Sequence, residues 1–433
     1  MPRNLRILCI APMYPWPEVD GYRQRLGNLV LGLAEAGTVD LVTFDLSADS
    51  TAEPVPDERI RWLPTTGDRS RTRREWMPTW LTSDLPRLAL AGWYRTAAGR
   101  PPVWRDDYDV AFLYDLPTWV QMRGVLPPIP IAVDIADLPS VLVGRRWRRG
   151  PSRATHAGWA QRARRLVSWA GSAPFDVVDA RRWRRWERRA VEEVAAITVC
   201  SEVDVGILQR IADRSTAGRA STGRQAAVRA VPNGYELRWP AGDHSAVPAT
   251  PVVLFVGLLA YGPNQDAARW FATEVFPALR RQMPLATFRV VGREPTSLAD
   301  LIGLPGVELV GEVGTMREEL DRADLSVVPI RHGGGTRLKV TEALANRIPC
   351  VTTTVGCEGI EVVDGEHVLI ADDAEGFVTA CMRALGDPDL RRRLSENGAA
   401  LYEASYRWSG IRTGFADVAR SISSVRPVPD HRG

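Results

Sequence analysis

From Leu325 to Ala345 the chain runs Leu325-Ser326-Val327-Val328-Pro329-Ile330-Arg331-His332-Gly333-Gly334-Gly335-Thr336-Arg337-Leu338-Lys339-Val340-Thr341-Glu342-Ala343-Leu344-Ala345. The first six residues are a short apolar run of the kind that forms a buried strand. Val340, Ala343, Leu344 and Ala345 continue as a helix. Three glycines therefore lie between a strand and a helix. At such a junction bare backbone amides and the positive end of a helix can meet an anion. The chain has 55 Lys plus Arg, and Lys339 is its only lysine. An ammonium is a compact point charge and a guanidinium a planar fork, so a single phosphate oxygen in a tight turn suits the lysine. The alternative is an ordinary helix-surface pair between Lys339 and Glu342, three residues on.

The same alternation extends in both directions. Downstream, residues 350–354 and 368–370 read as strands, 377–385 and 390–402 as helices, and a final amphipathic segment runs to about 422. Upstream, 252–257, 287–292 and 307–311 read as strands and 266–281 and 316–323 as helices. The first half repeats the pattern, with strands at 7–11, 39–44, 108–114, 129–135, 196–200 and 228–231 and helices at 23–36 and 187–195. Strand, helix, strand is a parallel crossover unit. The expected fold is α/β, with two doubly wound Rossmann-like domains facing a central cleft. The expected boundaries are 1–238, a Pro-rich linker at 239–250, 251–405, a helix at 406–425 packing back on the first domain, and a frayed tail at 426–433. Residues 47–102, rich in Pro, Arg and Trp, show no clear periodicity.

Composition narrows the function classes. A chain of 433 residues with 45% hydrophobic and 25% charged residues fits two large globular domains. No apolar run approaches the ~20 residues that span a bilayer. The five cysteines are scattered, without paired metal spacing, and suggest free thiols in a reducing, cytoplasmic compartment. A net charge of +3 does not suit a polyanion binder. Residues 145–189 are an exception, with 14 Arg, three acids and five interleaved Trp. They fit a solvated helical face or an anionic membrane surface. No nucleic-acid module accompanies them, so no nucleic acid is expected as a partner.

Several residues are candidates for chemistry. Gly21, just before the helix at 23–36, could turn its amide to a ligand or simply ease a turn. Asp107-Tyr108-Asp109 matches an Asp-x-Asp metal motif formally, but lies at a strand entry, and no metal is expected. Asp134 and Asp137 leave the carboxyl end of a strand, where open α/β sheets place ligands. Either could take a proton or polarise a hydroxyl, or cap the following helix.

The second half resembles the nucleotide-sugar-binding domain of a GT-B glycosyltransferase, most closely the retaining family 4, glycosyl transferases group 1. The motifs are Val231-Pro232-Asn233-Gly234, Phe255-Val256-Gly257, Val290-Val291-Gly292, Gly306-Val307-Glu308-Leu309-Val310-Gly311, Thr336 to Ala345, Pro349-Cys350-Val351-Thr352-Thr353 and Glu358-Gly359. They stand in family order across roughly residues 228–410. The resemblance implies metal-independent transfer of a sugar, with retention, from a nucleotide-diphosphate sugar. No cofactor is implied beyond that donor. The acceptor would be a glycan or lipid-linked molecule, on the inner face of a membrane if residues 145–189 touch one. Lys339, Arg337, Thr336 and the amides of Gly333, Gly334 and Gly335 would meet the diphosphate, together with Gly257 and Gly21. Glu342 would bind the ribose and Val313 would lie against the base. Catalytic weight would fall on Arg337, Lys339 and one of Asp134 and Asp137.

There are departures from the family pattern. Its acidic residue eight positions before the ribose glutamate is here Gly334, and residues 258–265 hold no basic side chain. A nucleotide-sugar epimerase of the same architecture and a non-catalytic sugar-nucleotide binder are the alternatives. A P-loop ATPase lacks its motif order here, and Gly-x-Gly-x-x-Gly is absent after the first strand.

Overall fold

The computed structural model describes residues 4–18, 20–44, 53–65, 72–91, 105–148, 159–216, 225–244, 246–334 and 338–425. The chain divides into two compact units, residues 1–232 with 411–433, and residues 233–410.

The first unit is built on a seven-stranded parallel sheet in the order β3-β2-β1-β4-β5-β6-β7. The strands are β1 (Leu5–Ala11), β2 (Gly37–Thr43), β3 (Ile60–Pro64), β4 (Val110–Tyr114), β5 (Ile131–Ile135), β6 (Ala196–Val199) and β7 (Ala227–Ala230). Central strands are apolar on both faces because helices cover both, and β4 is buried along its whole length. The helix Gly21–Ala34 begins at Asp20, whose carboxylate accepts from the Arg23 amide at 2.9 Å. The edge strand β3 lies inside the aperiodic stretch 47–102. Its pattern is masked by exposed Arg61 and by Pro64, residues that an edge tolerates.

A helix of 35 residues, Trp159–Glu193, replaces the shorter one expected at 187–195. Its second half faces the core. Trp183 and Trp186 are 1% and 4% exposed, and Trp186 packs edge-on to Trp119 at 6.1 Å. Asp176 and Asp179 are buried beneath Arg87, and Asp179 also accepts from the Trp80 indole at 2.8 Å. The expectation that Trp183 and Trp186 belong to a solvated or membrane-facing surface is therefore corrected: the two rings are core. Arg181, Arg184 and Arg185 are exposed. The side chains of Trp147, Trp159 and Trp169 lie outside the described residues.

From Ile411 on, the helix Trp408–Ile422 belongs to the first unit, where Arg412 donates to the Asn28 side chain at 2.8 Å and Arg420 to the Glu35 carbonyl at 2.7 Å. The division between units falls at 232/233 rather than 238. Residues expected as a loose linker are packed on the second unit. Trp239 packs against the cluster of Leu254, Val291, Leu320, Ala323 and Ile348, and the His244 carbonyl accepts from Arg391 at 2.6 Å.

The second unit has a six-stranded parallel sheet in the order β10-β9-β8-β11-β12-β13. These strands are β8 (Val252–Val256), β9 (Thr287–Val291), β10 (Val307–Gly311), β11 (Leu325–Val328), β12 (Cys350–Thr352) and β13 (Leu369–Ile370). The helix expected at 266–281 starts earlier, at Gly262, and passes through a π turn, Phe271–Val275, ahead of Pro277. Phe271, Phe276 and Phe288 pack beneath it, with Phe271 and Phe288 at 4.5 Å. Among the described residues no helix is long and apolar enough to cross a membrane.

In both sheets the first strand of the unit lies beside the fourth. Strand order reverses there, the place where open α/β sheets bind ligands, at the carboxyl ends of the strands. The reversal points are β1/β4 and β8/β11.

Candidate functional site

At the carboxyl ends of β8, β9 and β10 stand Gly257, Gly292 and Gly311. The Gly257 amide donates to the Val291 carbonyl at 3.0 Å, and the Gly292 amide to the Gly311 carbonyl at 2.8 Å. Gly292 has φ +147°, and a Cβ built on it would fall 1.7 Å from the Gly257 carbonyl oxygen. Only glycine lets these backbones approach so closely. A Cβ on Gly257 would meet Asn264 Nδ2 at 2.8 Å and Lys339 Nζ at 3.1 Å. The lysine thus lies across the bare end of β8, with Nζ 5.8 Å from the centre of the Phe255 ring.

Across the reversal point, β11 leads through Arg331 and His332 into the glycines. Arg331 grips Asp266 with two nitrogens, at 3.1 and 3.0 Å, and lies over the Trp270 ring at 5.0 Å. His332 Nδ1 is 3.7 Å from the same carboxylate. On the other side the Thr353 hydroxyl donates to the Ile330 carbonyl and accepts from the Gly356 amide. The chain is therefore anchored on both flanks before Gly333, whose φ of +120° favours glycine. Gly335, Thr336 and Arg337 lie outside the described residues. The helix Leu338–Ala345 then carries Lys339 and, one turn later, Glu342.

Burial pushes the Glu342 carboxyl up to about 7, while Lys339 and the Tyr235 hydroxyl pull the other way. Val313, past the end of β10, packs on the apolar cluster of Leu254, Val291, Leu320, Ala323 and Ile348. Of the residues expected to bind an anion and its attached group, Gly257 and Lys339 are thus in contact, and Gly333, Gly334 and Glu342 bracket the same helix start.

In the first unit Gly21 is the first residue of its helix. Asp134 has no exposed surface and both its oxygens are committed. Arg25 Nε and Nη2 donate to it at 2.7 and 2.6 Å, and Thr198 Oγ1 at 2.5 Å. Arg25 also donates to the Val231 carbonyl at 2.9 Å. Burial alone would lower the affinity of that guanidinium for its proton, but Asp134 more than reverses the effect. Asp134 is therefore corrected from a candidate proton acceptor to half of a buried structural pair. Asp137 is exposed two residues past β5. The following helix, Pro139–Arg148, is capped from elsewhere: the Ser140 amide donates to buried Glu187 at 2.9 Å. Asp107 and Asp109 lie at the amino end of β4. Asp109 accepts from the Arg6 amide at 2.9 Å, and Asp107 pairs with Arg6 and Arg105.

Asp115 was not singled out in the sequence. It follows β4 at the reversal point with φ 70° and ψ 159°, a region that residues other than glycine rarely occupy. Its carboxylate accepts from the Tyr22 hydroxyl at 2.6 Å and from the Thr118 amide and hydroxyl, each at 2.9 Å. Burial raises its proton affinity. The signal available was an Asp closing an apolar strand, with Pro117 two residues later, at the second position of the helix Leu116–Met122.

Residues 250–387 match the family model described as Glycosyl transferases group 1. Among curated proteins, the chain is 28% identical over 190 residues to the alpha-D-kanosaminyltransferase of Streptomyces kanamyceticus, 40% of this chain and 46% of that one. It is 25% identical over 130 residues to a 44.6 kDa protein of the cps region of Klebsiella pneumoniae, 28% of this chain and 34% of that one. It thus spans a third to just under half of the curated relatives it matches. Among solved structures it resembles the sucrose-phosphate synthase of Thermosynechococcus elongatus, with a TM-score of 0.64 and 20% identity over 97% of this chain and 99% of that one. It also resembles the Anabaena HepE protein in complex with UDP and glucose, with a TM-score of 0.58 and 13% identity over 96% and 100%. The second unit therefore carries a glycosyl transferases group 1 domain, and the chain as a whole has the fold of the GT-B glycosyltransferases.

Proposed function

We propose that this protein is a retaining, family 4-type glycosyltransferase that moves a sugar from a nucleotide-diphosphate sugar to an acceptor hydroxyl. One observation carries the reading: the only lysine of the chain lies against Gly257 at the reversal point of the second sheet. As the anomeric C–O bond breaks, negative charge collects on the departing diphosphate. Fixed cations and amides aimed at that charge lower the barrier. Lys339 supplies the point charge, Arg337 a second cation, and the glycines from Gly333 their amides, so the reading assigns no metal to this task. Glu342 takes the ribose hydroxyls and Val313 the edge of the base. Gly334, in place of the family's acid, leaves room on the sugar side of the site. The acceptor oxygen bonds to the anomeric carbon as the bond to the diphosphate breaks, and its proton passes to the departing diphosphate oxygen. Asp115 and Asp137 are the carboxylates of the first unit's sheet ends assigned to the acceptor side.

Thermal-shift measurements against UDP-, GDP-, ADP- and dTDP-sugars test the reading. A shift of several degrees with one nucleotide class is expected, followed by transfer or hydrolysis of that donor. No shift with any of the four defeats it. The acceptor is read as a lipid-linked or cell-envelope glycan on the cytoplasmic face of a membrane, with Arg181, Arg184 and Arg185 toward anionic lipid. Sedimentation with anionic vesicles should fall when the three are changed to Gln, and unchanged sedimentation removes this part.

A further inference from the structure

Asn264 stands in the first turn of the helix that begins at Gly262, and it is 4% exposed. Its carboxamide nitrogen donates to the Leu258 carbonyl at 2.8 Å. The same nitrogen lies 2.8 Å from the position a Cβ would take on Gly257, a position Lys339 Nζ approaches to 3.1 Å. A carboxamide from one helix and an ammonium from another therefore converge over one bare Cα at the end of β8. A carboxamide nitrogen carries two hydrogens. Leu258 takes one, and among the described residues none takes the other. The loop between β8 and Asn264 is held still. Leu259 is fully buried, its amide donates to the Arg293 carbonyl at 3.0 Å, and its carbonyl accepts from the Ser297 hydroxyl at 2.6 Å. The Ala260 carbonyl accepts from the Gln265 carboxamide at 3.0 Å, and the Tyr261 carbonyl from the Asn264 amide at 2.9 Å. Each carbonyl from Leu258 to Tyr261, the groups that would repel an anion beside Lys339, thus has a protein donor.

We propose that Asn264 is a donor-binding residue: its second N–H bonds the diphosphate oxygen that Lys339 grips. The proposal rests on the reading of Lys339 as a ligand of the donor diphosphate. A nearly buried N–H left without a partner is costly, and a phosphate oxygen beside Lys339 supplies the partner. A hydrogen bond from a neutral amide to a charged oxygen is also stronger than one to a neutral acceptor. The two groups do different work. An ammonium is a point charge on a flexible stem and attracts an oxygen from any direction. A carboxamide fixed through Leu258 aims its hydrogen one way. Together they define where one oxygen sits and how the diphosphate is turned about it. The bare Cα of Gly257 is what leaves room for both nitrogens.

The test is calorimetric binding of UDP, GDP and inorganic pyrophosphate to the full chain, with a double-mutant cycle between Asn264 and Lys339. Asn264→Ala should weaken the diphosphates that bind by about tenfold, the usual value of one hydrogen bond to a charged oxygen. Asn264→Asp, of nearly the same shape, should weaken them further, because a carboxylate there repels the phosphate and pairs with the ammonium. With Lys339→Ala in the background, Asn264→Ala should cost clearly less than it does alone, since both side chains hold the same oxygen. If the two losses simply multiply, Asn264 only ties down the loop through Leu258, and the proposal falls. If Asn264→Ala and Asn264→Asp both bind as the unaltered protein does while Lys339→Ala binds poorly, the proposal falls and the reading of Lys339 stands. If Lys339→Ala binds as the unaltered protein does, or none of the three ligands binds the unaltered protein, the diphosphate assignment itself fails and takes the proposal with it.

Discussion

Lys339 Nζ lies 3.1 Å from the position a Cβ would take on Gly257. The two residues are far apart in sequence, one closing β8 and the other in the first turn of the helix after β11. The ammonium can rest there because the strand ends in bare backbone. Lys339→Ala should lower turnover by roughly two to three orders of magnitude, the usual cost of removing a group that stabilises transition-state charge. Lys339→Arg should recover little, since the fork is bulkier and the site is built around a point. Steady-state kinetics with the donor identified by thermal shift will check this, with circular dichroism to verify the fold.

Gly292 carries a structural burden of its own. An alanine there needs φ near +147° and drives a methyl group into the Gly257 carbonyl. Gly292→Ala should destabilise the second unit by about 3 kcal/mol or more, combining backbone strain with a clash against main chain. Urea unfolding, monitored by the tryptophan signal, measures it. A loss below about 1 kcal/mol would mean that the strand ends relax easily.

The Arg25–Asp134 pair makes the opposite kind of prediction for the first unit. Asp134→Asn leaves a guanidinium with almost no exposed surface facing a neutral amide. The expected cost is about 3–5 kcal/mol in stability, because the remaining charge is buried and uncompensated. The double change Arg25→Met with Asp134→Leu should cost less than either single change. An Asp134→Asn protein that remains stable but loses turnover would restore Asp134 to the chemistry.

Glu187 should make the protein sensitive to alkali. It is fully buried, one of its oxygens has no hydrogen-bond partner, and burial raises its carboxyl to about 7. A raised carboxyl binds its proton more tightly when folded than when unfolded. Its contribution is therefore complete below the unfolded value of 4.5 and is lost as pH rises toward about 7. Glu187→Gln keeps an acceptor for the Ser140 amide and removes the titration. It should be more stable than the parent at pH 8 by about 1–3 kcal/mol and similar to it at pH 4.5. Denaturation curves at the two pH values separate the cases.

The parallel strands were legible because each is a short apolar run between turn residues, and helix covering on both faces leaves no alternation to misread. β3 was not, since this edge strand carries Arg61 and Pro64 and so looks like a loop. Lys339 stood out by composition. Its contact with Gly257 did not, because register across a reversal point is set by strand order and no local pattern encodes it. Asp134 and Asp115 were indistinguishable as acids at strand ends. What separates them is Arg25, 109 residues from Asp134, and Tyr22, 93 residues from Asp115. Trp183 and Trp186 looked like part of a surface stripe, while Ala89 and the Asp84 carbonyl that help cover them lie in a stretch with no legible period.

A protein whose cationic side chains are guanidinium in all but one case has an unusual reactivity profile. Acylating or reductively alkylating reagents find a single ε-amine, apart from the chain's α-amino group, and it sits at the glycine-lined end of β8. A fluorophore coupled through that amine reports from one defined address. Its rate of coupling, with and without a nucleotide present, is a footprint of occupancy that needs no engineered handle.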